Sequence, residues 1–229
     1  MTVEEAIQGL KALADQGKAA EMAAYHKAPR SYLGVTVPQI TDLANEWRAA
    51  LDVSGRVQLA DALWQTDIHE ARVAAAKLLI QARIRPDDEV WRLFLSWVPQ
   101  FDAWAIADHA CDVGRRRLEV RPERLDEIEA LTESPHMWSR RAALVVTLPF
   151  ARKNFPKPAD LAVRERVLGW AERYAEDRDW FIQKAVAWWI RDLSKHDADR
   201  AIAFLDGPGQ NLKPWAQKEA ARHLTRADG

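Results

Sequence analysis

The sequence has little cysteine and no long apolar run, and each absence excludes a class of protein. Cys111 is the only cysteine among 229 residues, so an internal disulfide framework and a cysteine-based metal site are both excluded. No apolar run approaches the roughly 20 residues that span a bilayer. The first residues are acidic and amphipathic, unlike a secretory signal. We therefore expect a cytoplasmic protein that makes no membrane contact.

Phosphate-binding loops and metal-binding motifs are also missing. No glycine-rich phosphate loop is present, and the six histidines are scattered without an H-x-x-x-H or H-E-x-x-H pattern. We therefore expect no cofactor and no metal. The charge is nearly balanced, with 33 basic and 34 acidic side chains and a net charge of −1. Any nucleic-acid binding must then depend on local clusters of charge.

Apolar residues instead recur at helical spacing along the chain, and alternating strand-like runs are nearly absent. Prolines and glycines separate the predicted helices, which are Val3–Gln16, Ala19–Lys27, Pro38–Leu51, Val57–Gln65, His69–Ala82, Asp87–Trp97, Ala103–Arg117, Glu123–Leu131, Met137–Phe150, Ala159–Ala175, Arg178–Ser194, Ala198–Phe204 and Pro214–Thr225. Helix pairs recur roughly every 30–45 residues, as in helical solenoids. The sequence predicts an all-α, curved solenoid of stacked helix pairs, forming one domain over residues 1–229.

Trp104 and Asp108 are the first candidate site. Around their helix, Ala103, Ile106, Ala107, Ala110 and Val113 form one apolar stripe. Trp104 and Asp108 point roughly 140° away from the centre of that stripe. An aromatic ring and a carboxylate that packing does not require are typical of a recognition or catalytic surface. The alternative is an aspartate favoured by the helix dipole beside a tryptophan packed on a neighbouring helix.

A basic segment is the second candidate. Ser134–Ala159 contains no acidic residue, and its cations are Arg140, Arg141, Arg152, Lys153 and Lys157. Arg140 and Arg141 lie off the predicted core stripe of their helix, which is formed by Trp138, Ala142, Val145 and Val146. Five uncompensated cations in a neutral chain favour phosphate binding. An ordinary solvated basic face is the alternative interpretation.

The third candidate is Trp188. Ile182, Val186, Trp189 and Leu193 are predicted to form the core face of the same helix. Trp188 projects more than about 90° from that face, on the side shared by Lys184 and Arg191. A ring between two cations suits a sugar–phosphate backbone. A surface cation–π cluster or a contact with the next repeat would give the same pattern.

At these residues the sequence resembles the AlkD-type DNA alkylation repair glycosylases, which are built from HEAT-like repeats. The matching motifs are W-x-x-x-D from Trp104, W-x-R-R-A-A-L from Trp138, F-I-Q-K-A-V-x-W from Phe181 and M-x-x-Y from Met22, followed by the G-V of Gly34. The chain departs from the family in HKAPRSYLGVTVPQI, where a usual phenylalanine-rich segment is replaced and Gln39 stands in place of a common arginine.

The resemblance implies an α–α superhelix with a concave DNA-binding surface, located in the bacterial cytosol or nucleoid. It assigns the catalytic carboxylate to Asp108, an aromatic cradle to Trp104 and Trp188, and a DNA contact to Arg141. Tyr25 matches the family's N-terminal tyrosine. With the neighbouring cations, the predicted DNA-binding set is Arg141, Arg140, Lys184, Arg191, Lys153 and Tyr25.

The predicted function is therefore a monomeric DNA glycosylase of base excision repair, which acts on double-stranded DNA carrying cationic alkylated purines such as 7-methylguanine and 3-methyladenine. An alkylated purine leaves as a neutral base, so one carboxylate could be enough where ordinary glycosidases need two. Two alternatives remain open at this point. One is a non-catalytic module that binds damaged or branched DNA, and the other is a protein-interaction scaffold, since helical repeats commonly bind partners.

Overall fold

Helices make up the regular structure of the chain, as predicted. The structure is a computed structural model that describes residues 1–224, and no β-strand occurs among them; Ser31 and Ile68 form one isolated bridge. The α-helices are α1 Val3–Ala12, α2 Gln16–His26, α3 Val37–Ala50, α4 Val53–Gln65, α5 His69–Leu79, α6 Asp88–Trp97, α7 Trp104–Val120, α8 Leu125–Ala130, α9 Met137–Val146, α10 Leu148–Ala151, α11 Pro158–Tyr174, α12 Trp180–Leu193, α13 Ala198–Asp206 and α14 Pro214–Ala220. Thr225, the last residue of the final predicted helix, lies outside the described residues.

The chain divides into two compact units, Met1–Val120 and Arg121–Gly229. In the first unit, α5 is the central helix and packs against α3, α4 and α7. In the second unit, α12 is central and packs against α9, α10 and α14. A single domain over residues 1–229 stays a prediction. Within residues 1–224, every helix is too short or too polar to span a membrane.

Small residues allow the central helices to approach their neighbours closely. Ala74 on α5, Ala143 on α9 and Ala185 on α12 are all buried. All four residues of the predicted core face of α12, Ile182, Val186, Trp189 and Leu193, are fully buried. The helical wheel therefore identified the core face of α12 correctly.

One predicted helix, Met137–Phe150, is divided in two. The break falls at Thr147, whose hydroxyl donates to the carbonyl oxygens of Ala143 and Leu144 at 3.1 and 2.9 Å. The Thr147 amide donates to Leu144 at 3.2 Å, one residue short of α-helical spacing. Pro149, in the first turn of α10, has no amide hydrogen to continue the helix. The side-chain hydrogen bond and the proline together end α9.

Candidate functional site

Helix α7 presents Trp104 and Asp108 as the wheel predicted. All five residues of the apolar stripe, Ala103, Ile106, Ala107, Ala110 and Val113, are buried. Trp104 is the first residue of α7 and Asp108 follows one turn later, and both side chains are half-buried. The core of the first unit therefore fixes the helix and leaves the indole and the carboxylate partly accessible.

Tyr25 lies beside Trp104, although the two residues are far apart in sequence. Their ring centroids are 5.8 Å apart, and the rings meet edge to face at 86°. Tyr25 stands near the end of α2 and is 69% exposed. The structure thus brings together the aromatic residue near the N-terminus and the aromatic residue of the W-x-x-x-D motif.

A group of stacked rings supports this surface, and sequence reasoning missed it. His26 lies 5.4 Å from Trp104 and stacks on His69 at 4.6 Å, while Tyr32 stacks on His69 at 4.9 Å. His26 and Tyr32 belong to the segment that departs from the family pattern. Their partner His69 begins α5, so no short-range spacing relates the three rings.

Burial disfavours the protonated form of the histidines in the first unit. Burial, with the nearby guanidinium of Arg30, lowers the pKa of His69 to about 3. Burial also lowers the pKa of His26 and of His109. Among the described residues, no three His, Cys, Asp or Glu side chains are arranged to hold a metal ion.

Hydrogen bonds to Glu70 and an ion pair of Arg30 stabilise the loop that follows Tyr25. Glu70 is fully buried and accepts the amide hydrogens of Leu33 and Gly34 at 2.9 and 2.8 Å. The buried Arg30 guanidinium forms an ion pair with Asp102, two residues before Trp104. The loop that ends at Gly34 is therefore tied both to α5 and to the start of α7.

The prediction that the basic segment Ser134–Ala159 is uncompensated is wrong. Arg140 pairs with Asp177 at 3.2 Å, Arg152 pairs with Asp192 at 2.6 Å, and Lys153 pairs with Asp160. Arg140 also donates to the carbonyl oxygens of Ser134 and Pro135. Each carboxylate lies outside the segment in sequence, so counting charges within the segment could not reveal it.

Arg141 lies off the predicted core stripe of its helix but is buried, with 2% of its surface exposed. Its guanidinium carbon is 5.7 Å from the centre of the Trp138 ring. Trp138, predicted to be part of the core stripe, is only half-buried and packs on Phe181 at 4.5 Å. Position on the helical wheel therefore did not predict the burial of either residue.

Trp188, Lys184 and Arg191 share one surface, as predicted, and they line a groove of about 350 Å³ between α12 and α14. The other lining residues are Trp180, Trp215 and Glu219, which the sequence analysis did not single out. Trp180 falls on the same face of α12 as Lys184 and Trp188, so the same helical wheel could have found it. We call these six residues the tryptophan groove.

Comparisons with known proteins place this all-helical architecture in a class and then in a family. The fold resembles that of a protein described as a predicted DNA alkylation repair enzyme from Enterococcus faecalis, with 23% identity, a TM-score of 0.79, and coverage of 93% of this chain and 98% of the other. It also resembles AlkD2 from Streptococcus mutans, with 17% identity, a TM-score of 0.62 and coverage of 83% and 91%. These likenesses show the class, a helical-repeat fold.

The sequence model of the DNA alkylation repair enzyme family matches residues 6–224. The chain therefore belongs to the DNA alkylation repair enzyme family. No curated protein sequence matches it significantly. Membership of this family implies that DNA is the partner.

Proposed function

We propose that the protein is a DNA glycosylase that hydrolyses the N-glycosidic bond of cationic alkylated purines, such as 7-methylguanine and 3-methyladenine, in base excision repair. The observation that carries the proposal is Asp108 one turn from Trp104 on the outward side of α7, with Tyr25 against the indole. A cytoplasmic, monomeric enzyme without a cofactor is part of the same proposal.

The reaction needs one carboxylate because the leaving base is already charged. As the C1′–N bond breaks, its electron pair moves into the purine ring and neutralises the alkylated base, so no acid has to protonate it. Asp108 stabilises the positive charge that develops on the deoxyribose and orients a water toward C1′. The water oxygen bonds to C1′, and its proton passes to the carboxylate or to solvent.

Aromatic rings complete the proposed catalytic set. Trp104 and Trp188 contact the sugar and backbone, and their faces favour the oxocarbenium-like state through cation–π attraction. Burial lowers the pKa of His26, whose ring lies 5.4 Å from that of Trp104, and this shift supports the assignment because a protonated imidazole there would oppose positive charge on the sugar.

The proposed DNA contacts differ in their accessibility. Lys184 and Tyr25 are exposed, so these two side chains can reach a phosphate directly. Arg191 is half-buried and pairs with Glu219, and we propose that it binds phosphate while remaining in that pair. Arg140 and Lys153 already bind Asp177 and Asp160, and we propose that they bind phosphate while remaining in those pairs. The phosphate contact of Arg141 rests on the family resemblance, because its side chain is buried.

The test is base release from duplex DNA that contains 7-methylguanine. We expect the Asp108→Asn variant to lose activity by about 10²–10³-fold, because an amide cannot stabilise the developing cation. Asp112→Asn, one turn further along α7 where Asp112 pairs with Arg115, is the matched control and should keep its activity. Equal release by wild type and Asp108→Asn would refute the mechanism.

The lesion panel supplies a second readout for the same proposal. Charged adducts should be released and neutral lesions released poorly, because a neutral lesion would leave as an anion. Tight, salt-sensitive DNA binding without excision of any lesion would instead support a non-catalytic binding module.

A further inference from the structure

The tryptophan groove exposes more aromatic surface than the packing of the second unit requires. Trp180 is 47% exposed and Trp215 is 36% exposed, although α12 and α14 already bury Ile182, Trp189 and Ala216 fully. The two exposed rings stack at 5.6 Å with an angle of 27° between their planes. Large aromatic rings gathered on one surface are typical of a binding site.

The charges of the tryptophan groove favour an anionic ligand. Lys184 makes no ion pair within residues 1–224, and its Nζ lies 4.7 Å from the centre of the Trp180 ring. Glu219 binds two guanidiniums, those of Arg191 and Arg222. The single carboxylate of the groove is therefore more than neutralised by the cations around it, and the groove is positive overall.

The order of the side chains along α12 indicates what kind of anion fits. Trp180, Lys184 and Trp188 follow one another at four-residue steps on one face, about 6 Å apart along the helix axis. Rings thus alternate with a cation at a regular interval, and Arg191 continues the row. A single strand of nucleic acid offers flat bases and phosphates in the same alternation, whereas a duplex hides the base faces by stacking.

We propose that the tryptophan groove binds a short unpaired segment of DNA, with bases on Trp180 and Trp215 and phosphates at Lys184 and Arg191. The inference rests on the proposed function, because Trp188 and Lys184 contact DNA in both the glycosylase proposal and the groove proposal. It extends that function to Trp180 and Trp215 and to an unpaired strand as ligand.

Anisotropy of a dye-labelled oligonucleotide tests the proposal. The two probes are an undamaged oligothymidine of roughly six nucleotides, within the size of known single-strand sites, and an abasic strand of equal length. We expect wild type to bind oligothymidine about a hundredfold more tightly than the abasic strand, since two bases stack and each contributes about a factor of ten. Trp180→Ala and Trp215→Ala should each lose about tenfold of this preference and keep their affinity for the abasic strand.

Two further variants make the result interpretable. Phe155→Ala removes an aromatic ring that is 95% exposed in the same unit but outside the groove, and it should bind like wild type. Trp180→Phe should keep part of the base preference, which separates stacking from a folding defect. Equal affinity of wild type for both probes, or wild-type binding by Trp180→Ala and Trp215→Ala, would overturn the proposal.

The Asp108→Asn variant separates this proposal from the glycosylase proposal. It should bind oligothymidine like wild type even though its base release falls by about 10²–10³-fold. Asp108-dependent base release without a preference for oligothymidine would leave the glycosylase proposal intact and remove the groove proposal. A clear preference for oligothymidine without any base release would support the groove proposal and refute the glycosylase proposal.

Discussion

Gly34, in the loop between α2 and α3, has a backbone conformation that residues with a side chain rarely adopt. Its φ is +79°, in the left-handed region, and its amide donates to the buried Glu70 carboxylate. A Cβ at this position would lie 2.0 Å from the carbonyl oxygen of Asp15 and 2.7 Å from the amide nitrogen of Ala19. Backbone atoms cannot move aside as a flexible side chain can, so the turn and the start of α2 both depend on this residue.

Gly34→Ala should therefore lower the free energy of unfolding by at least about 2 kcal/mol, because the left-handed backbone alone costs an alanine about 1–2 kcal/mol and the contacts with Asp15 and Ala19 add to it. Urea unfolding followed by circular dichroism measures the change. Gly169→Ala is the control, since a Cβ in the middle of α11 meets nothing within 4 Å. That variant should gain about 0.5–1 kcal/mol from helix propensity; equal stability of the two variants would contradict the argument.

At the scale of elements, α5 joins the core of the first unit to the stacked rings. His69, its first residue, is almost fully buried, and its amide donates to the carbonyl oxygen of Ser31 in the loop. Its ring stacks on that of His26 at 4.6 Å and on that of Tyr32 at 4.9 Å. A proton on this imidazole would have no solvent to stabilise it, which is why the pKa falls to about 3.

The buried ring makes the stability of the first unit sensitive to acid. In the unfolded chain His69 has its ordinary pKa of 6.5, against about 3 when folded. Below pH 6.5 the unfolded state binds a proton that the folded state does not, so the free energy of unfolding falls as the pH falls. The loss from His69 should reach about 2 kcal/mol at pH 5.

Urea unfolding at pH 7.5 and pH 5 should show this loss in wild type. His69→Phe keeps an aromatic ring for stacking but cannot bind a proton, so its stability should change less between the two pH values. The remaining change reports on His26 and His109, whose pKa values are also lowered by burial. An identical pH dependence in wild type and His69→Phe would show that His69 does not carry the effect.

Elements were more predictable than the pairs of residues that join them. Every predicted helix overlaps a helix of the structure, because the spacing of apolar residues is a local property that the core then enforces. The break at Thr147 depended on a side-chain hydrogen bond that competes with the helix. The pairs Arg140–Asp177 and Arg152–Asp192 span 37 and 40 residues, and the stacking of His26 on His69 also depends on the fold. These contacts could not be predicted from the sequence, because they depend on how the helices are arranged in space.

At the scale of the whole molecule, balanced charge limits how the protein can hold DNA. With a net charge of −1, no long-range field draws a polyanion to the chain, so affinity must come from a few local phosphate contacts. Most cations of the basic segment are already paired with carboxylates. The exposed Lys184, on the tryptophan groove, is therefore among the few strong candidates for a direct phosphate contact.

The salt dependence of binding to an undamaged DNA duplex measures the number of phosphate contacts. The logarithm of the binding constant falls linearly with the logarithm of the salt concentration. Each neutralised phosphate adds about 0.9 to the magnitude of that slope, because its condensed counterions are released. Lys184→Gln should therefore reduce the slope by about 0.9 and weaken binding alike for different sequences. Lys11→Gln removes an exposed lysine of α1 and is the control, since it changes the net charge equally but should leave the slope unchanged. If both variants lowered the slope to the same extent, binding would follow overall charge, and the local phosphate contact at Lys184 would have to be abandoned.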